Sequence, residues 1–375
     1  MKNMQHTHKL HALICAGTVL AAVLGGCSSH TSQGWNRSAA ASYLDQRELK
    51  WSRWKPAARE DNTVCVSCHT SLVYALARPR LEATLHQAPA SPREELLANV
   101  TKRVRLWSQL PPYYKNAART SQGTEAILNA LILTDEDSRH GQLSPATVSA
   151  LDDMWALQNT SGPDAGTWPW LHTGYQPFEA TDAQYFGATL AAVAVGRTPE
   201  DYRTRPEIQA HLEALRGYLL RSYAQQPLLN RIHLLWAASE WPGLMTPDMR
   251  DALEAQIWAR QRSDGGWSLS SLIPADWKRR DGLSPSSSSD GYATGIIVLA
   301  LQDAGMPRSD ARLSRGLSWL QDHQSSWNGR WTANSPNKSY GFFGPSRHFM
   351  DDTATAFAVL ALTEPAKSPQ LQAHN

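Results

Sequence analysis

The chain has 375 residues, enough for two or three ordinary domains or for one large repetitive one. Hydrophobic residues make up 42% and charged residues 19%, which allows a large core and excludes wholesale disorder. Lys and Arg number 36 against 34 Asp and Glu; Lys2 and Lys9 supply the excess, so the chain from Cys27 onward is formally neutral and nucleic acid is not its main partner.

The chain opens with Lys2 and Lys9 and then an apolar run from Leu10 to Leu24. The run is too short for a comfortable membrane span and ends in small residues, so residues 1–26 read as an export signal. Its end, Leu24-Gly25-Gly26-Cys27-Ser28, resembles a bacterial lipobox. That resemblance implies cleavage before Cys27, acylation of its sulfur and a lipid anchor in the bacterial cell envelope, facing the periplasm or the outer surface. Residues 27–38 suit a flexible tether. Residues 39–363 hold the folded domain, and 364–375 form a tail.

The domain alternates two kinds of helix. Outer, amphipathic helices are predicted at 39–56, 91–108, 146–158, 207–224, 247–261 and 309–323. Apolar helices follow them at Cys65–Ala77, Ser121–Leu133, after Asp182, at Leu229–Ser239, after Asp290 and after Asp351. The strongest copies are Asp182-Ala-Gln-Tyr-Phe-Gly187, Asp290-Gly-Tyr-Ala-Thr-Gly295 and Asp351-Asp-Thr-Ala-Thr-Ala356, each running into a helix apolar nearly all round. Such helices are buried on every side. Each is preceded by a Trp/Gly turn: Gln158…Trp168-Pro-Trp170, Gln261…Gly265-Gly-Trp267 and Gln324…Gly329-Arg-Trp331. Six outer–inner hairpins close into an all-α fold, an α/α toroid. The long connections 159–180, 268–288 and 332–349 then crowd one mouth, where loops of this length carry function. The run Lys278-Arg279-Arg280 in the second reads as a solvated loop or an anion site.

The last turn, Arg315-Gly316-Leu-Ser-Trp319-Leu320 through Gln324 to Trp331, resembles the QW motif of squalene–hopene cyclases. The resemblance implies the toroid shared by terpenoid cyclases and protein prenyltransferases, with Gln, Trp and Gly as a structural clamp. Related barrels occur in some glycosidases, so the fold leaves function open.

Two constellations carry chemistry. Cys65-Val66-Ser67-Cys68-His69 has the C-x-x-C-H pattern of covalent haem c attachment, with Cys65 and Cys68 binding the macrocycle and His69 the iron. A disulfide and a metal site are the alternatives. No Met occurs between His69 and Met154, so a sixth iron ligand is a distant residue such as His86, His172 or His348, or none. Second, Phe349-Met350-Asp351-Asp352-Thr353-Ala354 resembles the DxDDTA acid motif of squalene–hopene cyclases. Carried over, Asp351 matches the proton donor and Asp352 its neighbour, while Phe349 stands where the first Asp belongs. The bland reading makes Asp182, Asp290 and Asp351 helix-start acids. Asp290-Gly291-Tyr292 has Tyr where prenyltransferases place a zinc-binding Cys, so no zinc is expected.

The combined reading is an exported, lipid-anchored toroid carrying haem c, with an apolar or isoprenoid ligand in its cavity and a redox partner. A cyclase using Asp351 is the alternative. A glycan-active toroid using Asp182, Asp290 and Asp351 is another.

Overall fold

The computed structural model describes residues 34–180, 183–341 and 344–363. Cys27, Asp182, the signal and the tail lie outside these residues. Outer helices are α1 (Arg37–Ser52), α3 (Ser91–Arg105), α5 (Pro145–Ala156), α7 (Gln209–Ser222), α9 (Pro247–Trp258) and α11 (Ala311–Asp322). Inner helices are α2 (Ser71–Leu85), α4 (Ala118–Ser138), α6 (Gln184–Gly196), α8 (Leu228–Glu240), α10 (Gly291–Asp303) and α12 (Phe349–Leu362). The two kinds alternate along the chain, as the apolar patterning predicts. A two-stranded antiparallel hairpin, β1 (Ala58–Arg59) with β2 (Thr63–Val64), sits in the α1–α2 connection.

Inner helices pack in a closed ring. α2 meets α4 and α12, α4 meets α6, α6 meets α8, α8 meets α10, and α10 meets α12. A ring position exposes a helix to two neighbours, an outer helix and the centre, so only an all-round apolar surface fits it. Tyr185 to Val195 on α6 and Gly291 to Leu301 on α10 are accordingly buried without a break. Gly295 lets α10 approach α12: a Cβ there would stand 2.8 Å from the Phe357 and Ala358 backbone. α11 shows the outer pattern, burying Leu313, Gly316, Leu317, Trp319 and Leu320 and exposing the rest of its face.

Three glutamines join successive outer helices. Gln158 Nε2 donates to the carbonyls of Gly166 (3.4 Å) and His211 (3.1 Å), which lies at the start of α7. Gln261 Nε2 reaches those of Gly265 (2.9 Å) and Arg312 (2.7 Å) at the start of α11. Gln324 Nε2 reaches Gly329 (2.8 Å) and Asn36 (2.9 Å), and its Oε1 accepts from the Asn36 N–H (2.6 Å). That last clamp seals the ring across 288 residues of sequence. The tryptophans anchor each turn to the helix before it: Trp267 Nε1 donates to the Ile257 carbonyl (2.9 Å) and Trp331 Nε1 to that of Leu320 (2.7 Å). Gly329, at φ 75°, lies where a Cβ would strike Ala39. The tether ends earlier than residue 38: Trp35 is buried against Trp331 (ring centroids 5.8 Å apart) and Asn36 caps α1.

The centre of the toroid is filled, not hollow. Phe186, His233, Tyr292 and Phe357 meet there edge to face or tilted, with Phe178 against Tyr292. Burial pushes the His233 imidazole down to about 4. The neutral ring donates from Nδ1 to the Leu229 carbonyl (2.9 Å), so Nε2 accepts from the Tyr292 hydroxyl (3.1 Å).

Glu48 on α1 is a buried carboxyl whose Oε1 accepts from Ser71 Oγ (3.3 Å) and whose Oε2 has no hydrogen-bond partner. Burial pushes it up from 4.5 to about 8. A carboxyl raised in the folded state favours folding only while protonated. Stability is therefore lost as pH climbs from 4.5 towards 8 and levels off above. Glu48→Gln, already neutral, is expected to flatten that slope by up to about 1.4 kcal/mol per pH unit in urea titrations from pH 5 to 8. Parallel curves for the two proteins would contradict this account of Glu48.

Candidate functional site

Outer-to-inner connections gather at one mouth of the ring. There the C-x-x-C-H segment bridges β2 and α2. Its backbone is pinned at both ends: the Cys65 N–H donates to the Ala57 carbonyl (2.8 Å), and Trp51 Nε1 donates to the Cys65 carbonyl (2.6 Å). Ser67 Oγ accepts from the N–H groups of His69 (3.3 Å) and Thr70 (3.0 Å), a side-chain turn that leads the chain into α2.

The same hydroxyl holds His69. Its Nδ1 lies 2.9 Å from Ser67 Oγ. The ring stacks on Phe349 (centroids 3.8 Å apart, planes 19° apart) and takes the edges of Tyr175 (5.6 Å) and Phe178 (5.7 Å). Phe349, the residue that breaks the acidic motif, is therefore the platform for the histidine. With His69 only 3% exposed, its Nε2 has no hydrogen-bond partner. Glu179 Oε1 is the nearest charge, at 3.5 Å.

Cys65, Cys68 and His69 line one cavity of about 200 Å³. Trp51 and Trp54, Tyr113 and Tyr114, and Tyr175 supply aromatic walls, and Glu179 is the carboxylate among the lining residues. Both cysteines are free and buried. Burial pushes the Cys65 thiol up to about 12; it raises Cys68 as well, with the Glu179 carboxylate acting the same way. That is the opposite direction from the lowered thiol of exchange-active C-x-x-C pairs. Among the described residues no three of His, Cys, Asp and Glu converge as a metal-ion site.

The aspartates stand elsewhere. Asp290 caps α10: its Oδ1 accepts from the N–H groups of Tyr292 (3.1 Å) and Ala293 (2.9 Å), its Oδ2 from that of Leu269 (2.6 Å), and burial raises it to about 6. Asp351 accepts weakly from the Ala333 N–H (3.4 Å) and faces Arg330 and His348, each at 3.5 Å. The parallel with Asp290 is atomic, since Thr294 and Thr355 hold the Trp267 and Trp331 N–H groups at 3.0 and 3.1 Å. Asp352 is fully buried and takes Arg47 on both oxygens (2.7 and 3.0 Å), Tyr43 (2.8 Å) and Thr70 (2.8 Å). None of the three lines the cavity. Asp182 lies outside the described residues.

The Lys278-Arg279-Arg280 run knits the mouth together. Arg279 pairs with Asp281 (2.6 Å) and donates to the Ser335 carbonyl (2.6 Å), and the Arg280 N–H donates to the Asn337 carbonyl (2.7 Å). Asn337 Nδ2 donates in turn to the Gly174 carbonyl (2.5 Å), so all three long connections are tied. The run reads in sequence as a solvated loop or an anion site; the Arg279 side chain is instead largely buried and paired with Asp281. The sequence reading missed Glu179, although its place in a long connection beside Tyr175 and Phe178 was the available signal.

No known protein family matches this chain, and no curated protein does. Among the solved structures that resemble it are two glycosidases. One is a glycosidase in complex with glucose, 13% identical, with a TM-score of 0.49, over 87% of this chain and 96% of that one. The other is a glycosidase variant, 13% identical, with a TM-score of 0.48 and the same coverage. Likeness at this level adds no weight to any reading of the site.

Proposed function

We propose that this chain is an exported, lipid-anchored carrier of haem c, held at the mouth of the toroid through thioethers from Cys65 and Cys68, with His69 as iron ligand. One observation carries the reading: His69 is buried with no hydrogen-bond partner for Nε2, its one charged neighbour being Glu179 at 3.5 Å, and it lines the same cavity as both thiols. An orphaned buried nitrogen costs about 1–3 kcal/mol, which a ligand to it would offset. Ser67 fixes the ring through Nδ1, the usual support of a metal-binding imidazole. A haem brings its own ring nitrogens, so a single protein imidazole suffices where three donors do not converge. At about 200 Å³ the cavity is smaller than typical ligand sites, so it would hold a macrocycle only in part. When bound, the group supplies one-electron chemistry at iron. The chain's own part is to hold the iron ligand by Ser67 and Phe349 and to exclude water with the tryptophan and tyrosine walls.

Mass spectrometry of the mature chain, produced with c-type maturation machinery, tests the whole reading. The expected mass is that of the chain from Cys27 plus its acyl groups plus one haem that survives denaturation. A colourless chain two protons light would instead establish a disulfide and overturn the proposal.

A second reading is a glycan site at the same mouth, favoured by aromatic walls around one buried carboxylate, Glu179. Hydrolysis normally needs two carboxylates about 5–10 Å apart. Among the described residues the cavity presents one, so this reading is of sugar binding. Calorimetric titration of the haem-free chain with glucose and short oligosaccharides separates it from the first, because binding without haem would favour the sugar.

A further inference from the structure

We infer that Trp327 docks the domain on the lipid surface that holds its anchor, with the indole ring in the headgroup interface. The inference rests on the lipid-anchor part of the reading above. It goes beyond that part, from a tether to one fixed face turned towards the membrane.

The first ground is the ring itself. All 15 tryptophans lie within the described residues, and every one but Trp327 is buried or half-buried. Trp327 is 89% exposed. The other exposed large apolar side chains among the described residues are Leu283 (59%), in the connection 268–288, and Leu220 (37%), on α7. Trp327 sits at the tip of a closed turn. The Gly329 N–H donates to the Ser325 carbonyl (2.8 Å), and the Ser325 N–H donates to the Arg330 carbonyl (2.8 Å). The backbone therefore holds the ring out to solvent. A single exposed ring calls for no explanation by itself, but its position does.

The second ground is where the chain enters the domain. Gln324, which opens the turn, clamps Asn36, and Gly329, which closes it, packs on Ala39. Trp327 therefore stands beside the first described residues. Cys27 to Gln33 precede Gly34, and even fully extended they reach only about 25 Å. A compact domain of this size is roughly 50 Å across. An acylated Cys27 thus keeps this edge of the domain at the bilayer and the far edge off it. Tryptophan is the residue that settles at such an interface, with an apolar ring and an N–H that can meet lipid carbonyls. Arg37, exposed at the same edge with its guanidinium 5.2 Å from the Trp35 ring, adds a cation for lipid phosphates. One ring alone would bind a membrane weakly. The anchor makes its insertion intramolecular, at an effective concentration of about millimolar.

A polarity-sensitive dye on Ser326→Cys, an exposed neighbour of the ring, tests this in the full acylated chain reconstituted in phosphatidylcholine vesicles. Cys65 and Cys68 are buried and should stay unlabelled, which the labelled mass checks. The dye's emission should shift to the blue, and lipids with brominated acyl chains should quench it. Adding Trp327→Ser should return the emission to that seen in water while the acyl groups still hold the chain on the vesicles. The same dye on Leu220→Cys, three outer helices along the ring from α1, should report water throughout. A dye at Ser326→Cys that reports water with Trp327 in place would overturn the inference and leave the anchor standing. Immersion that persists in Trp327→Ser would remove Trp327 from the role. A blue shift that appears without vesicles as the protein is concentrated would seat a second copy on Trp327 and also overturn the inference. A mature chain whose mass shows no acyl groups refutes the anchor reading, and the inference falls with it.

Discussion

The variant Cys65→Ser with Cys68→Ser is expected to emerge from c-type maturation colourless and, on the haem reading, lighter than the wild type by one haem. On that reading each sulfur would carry one covalent bond to the macrocycle, and an oxygen in its place would form none. Both positions are buried in one cavity wall, so no neighbouring thiol can substitute. His69→Gly separates attachment from ligation. That variant should keep the covalent mass while its visible spectrum shifts on loss of the imidazole, and added imidazole should restore it. Burying two hydroxyls costs about 1–3 kcal/mol each if they find no partner, so helical content and melting temperature must be checked alongside. A double-serine variant that is folded and still red after denaturation would sink the assignment.

Asp352→Ala is expected to be among the most damaging single changes in the domain. Removing the carboxylate leaves the Arg47 guanidinium buried and unpaired, a loss of about 3–5 kcal/mol. Tyr43 and Thr70 lose their acceptor in the same stroke. Thr70 follows His69 directly, and Thr353 Oγ1 donates to the His69 carbonyl (3.2 Å), so the damage reaches the cysteine–histidine segment. Asp351→Ala, one residue away, should cost about 1 kcal/mol or less, because its contacts are long and partly solvated. Urea unfolding of both variants decides the matter. Equal midpoints for the two would contradict the assignment of Asp352 as a buried ion-pair partner. Replacing Arg47 and Asp352 together by apolar residues of similar volume should recover much of the loss.

Helical hairpins were legible in the sequence because their causes are local. Apolar residues on every face mark an inner helix, and a one-sided stripe marks an outer one. The Gln–Trp turns were legible for the same reason: the Trp267 indole N–H reaches back to nearby Ile257, and that of Trp331 to nearby Leu320. The cap at Asp290 follows from its place just before an apolar run. The cysteines and histidine were legible as a five-residue motif. Tertiary structure alone decided what these pieces meet. Ring closure brings Gln324 to Asn36 and Asp352 to Arg47 across about three hundred residues, and no spacing along the chain encodes either pair. It also parts two aspartates that read as one motif, sending Asp352 into an ion pair and Asp351 towards Arg330. It sets Phe349 under His69 and Glu179 before it, from two connections far apart in sequence. Local periodicity determines which surface of each helix is apolar. Only the closed ring, by bringing the connections to one mouth, determines which side chains surround the histidine.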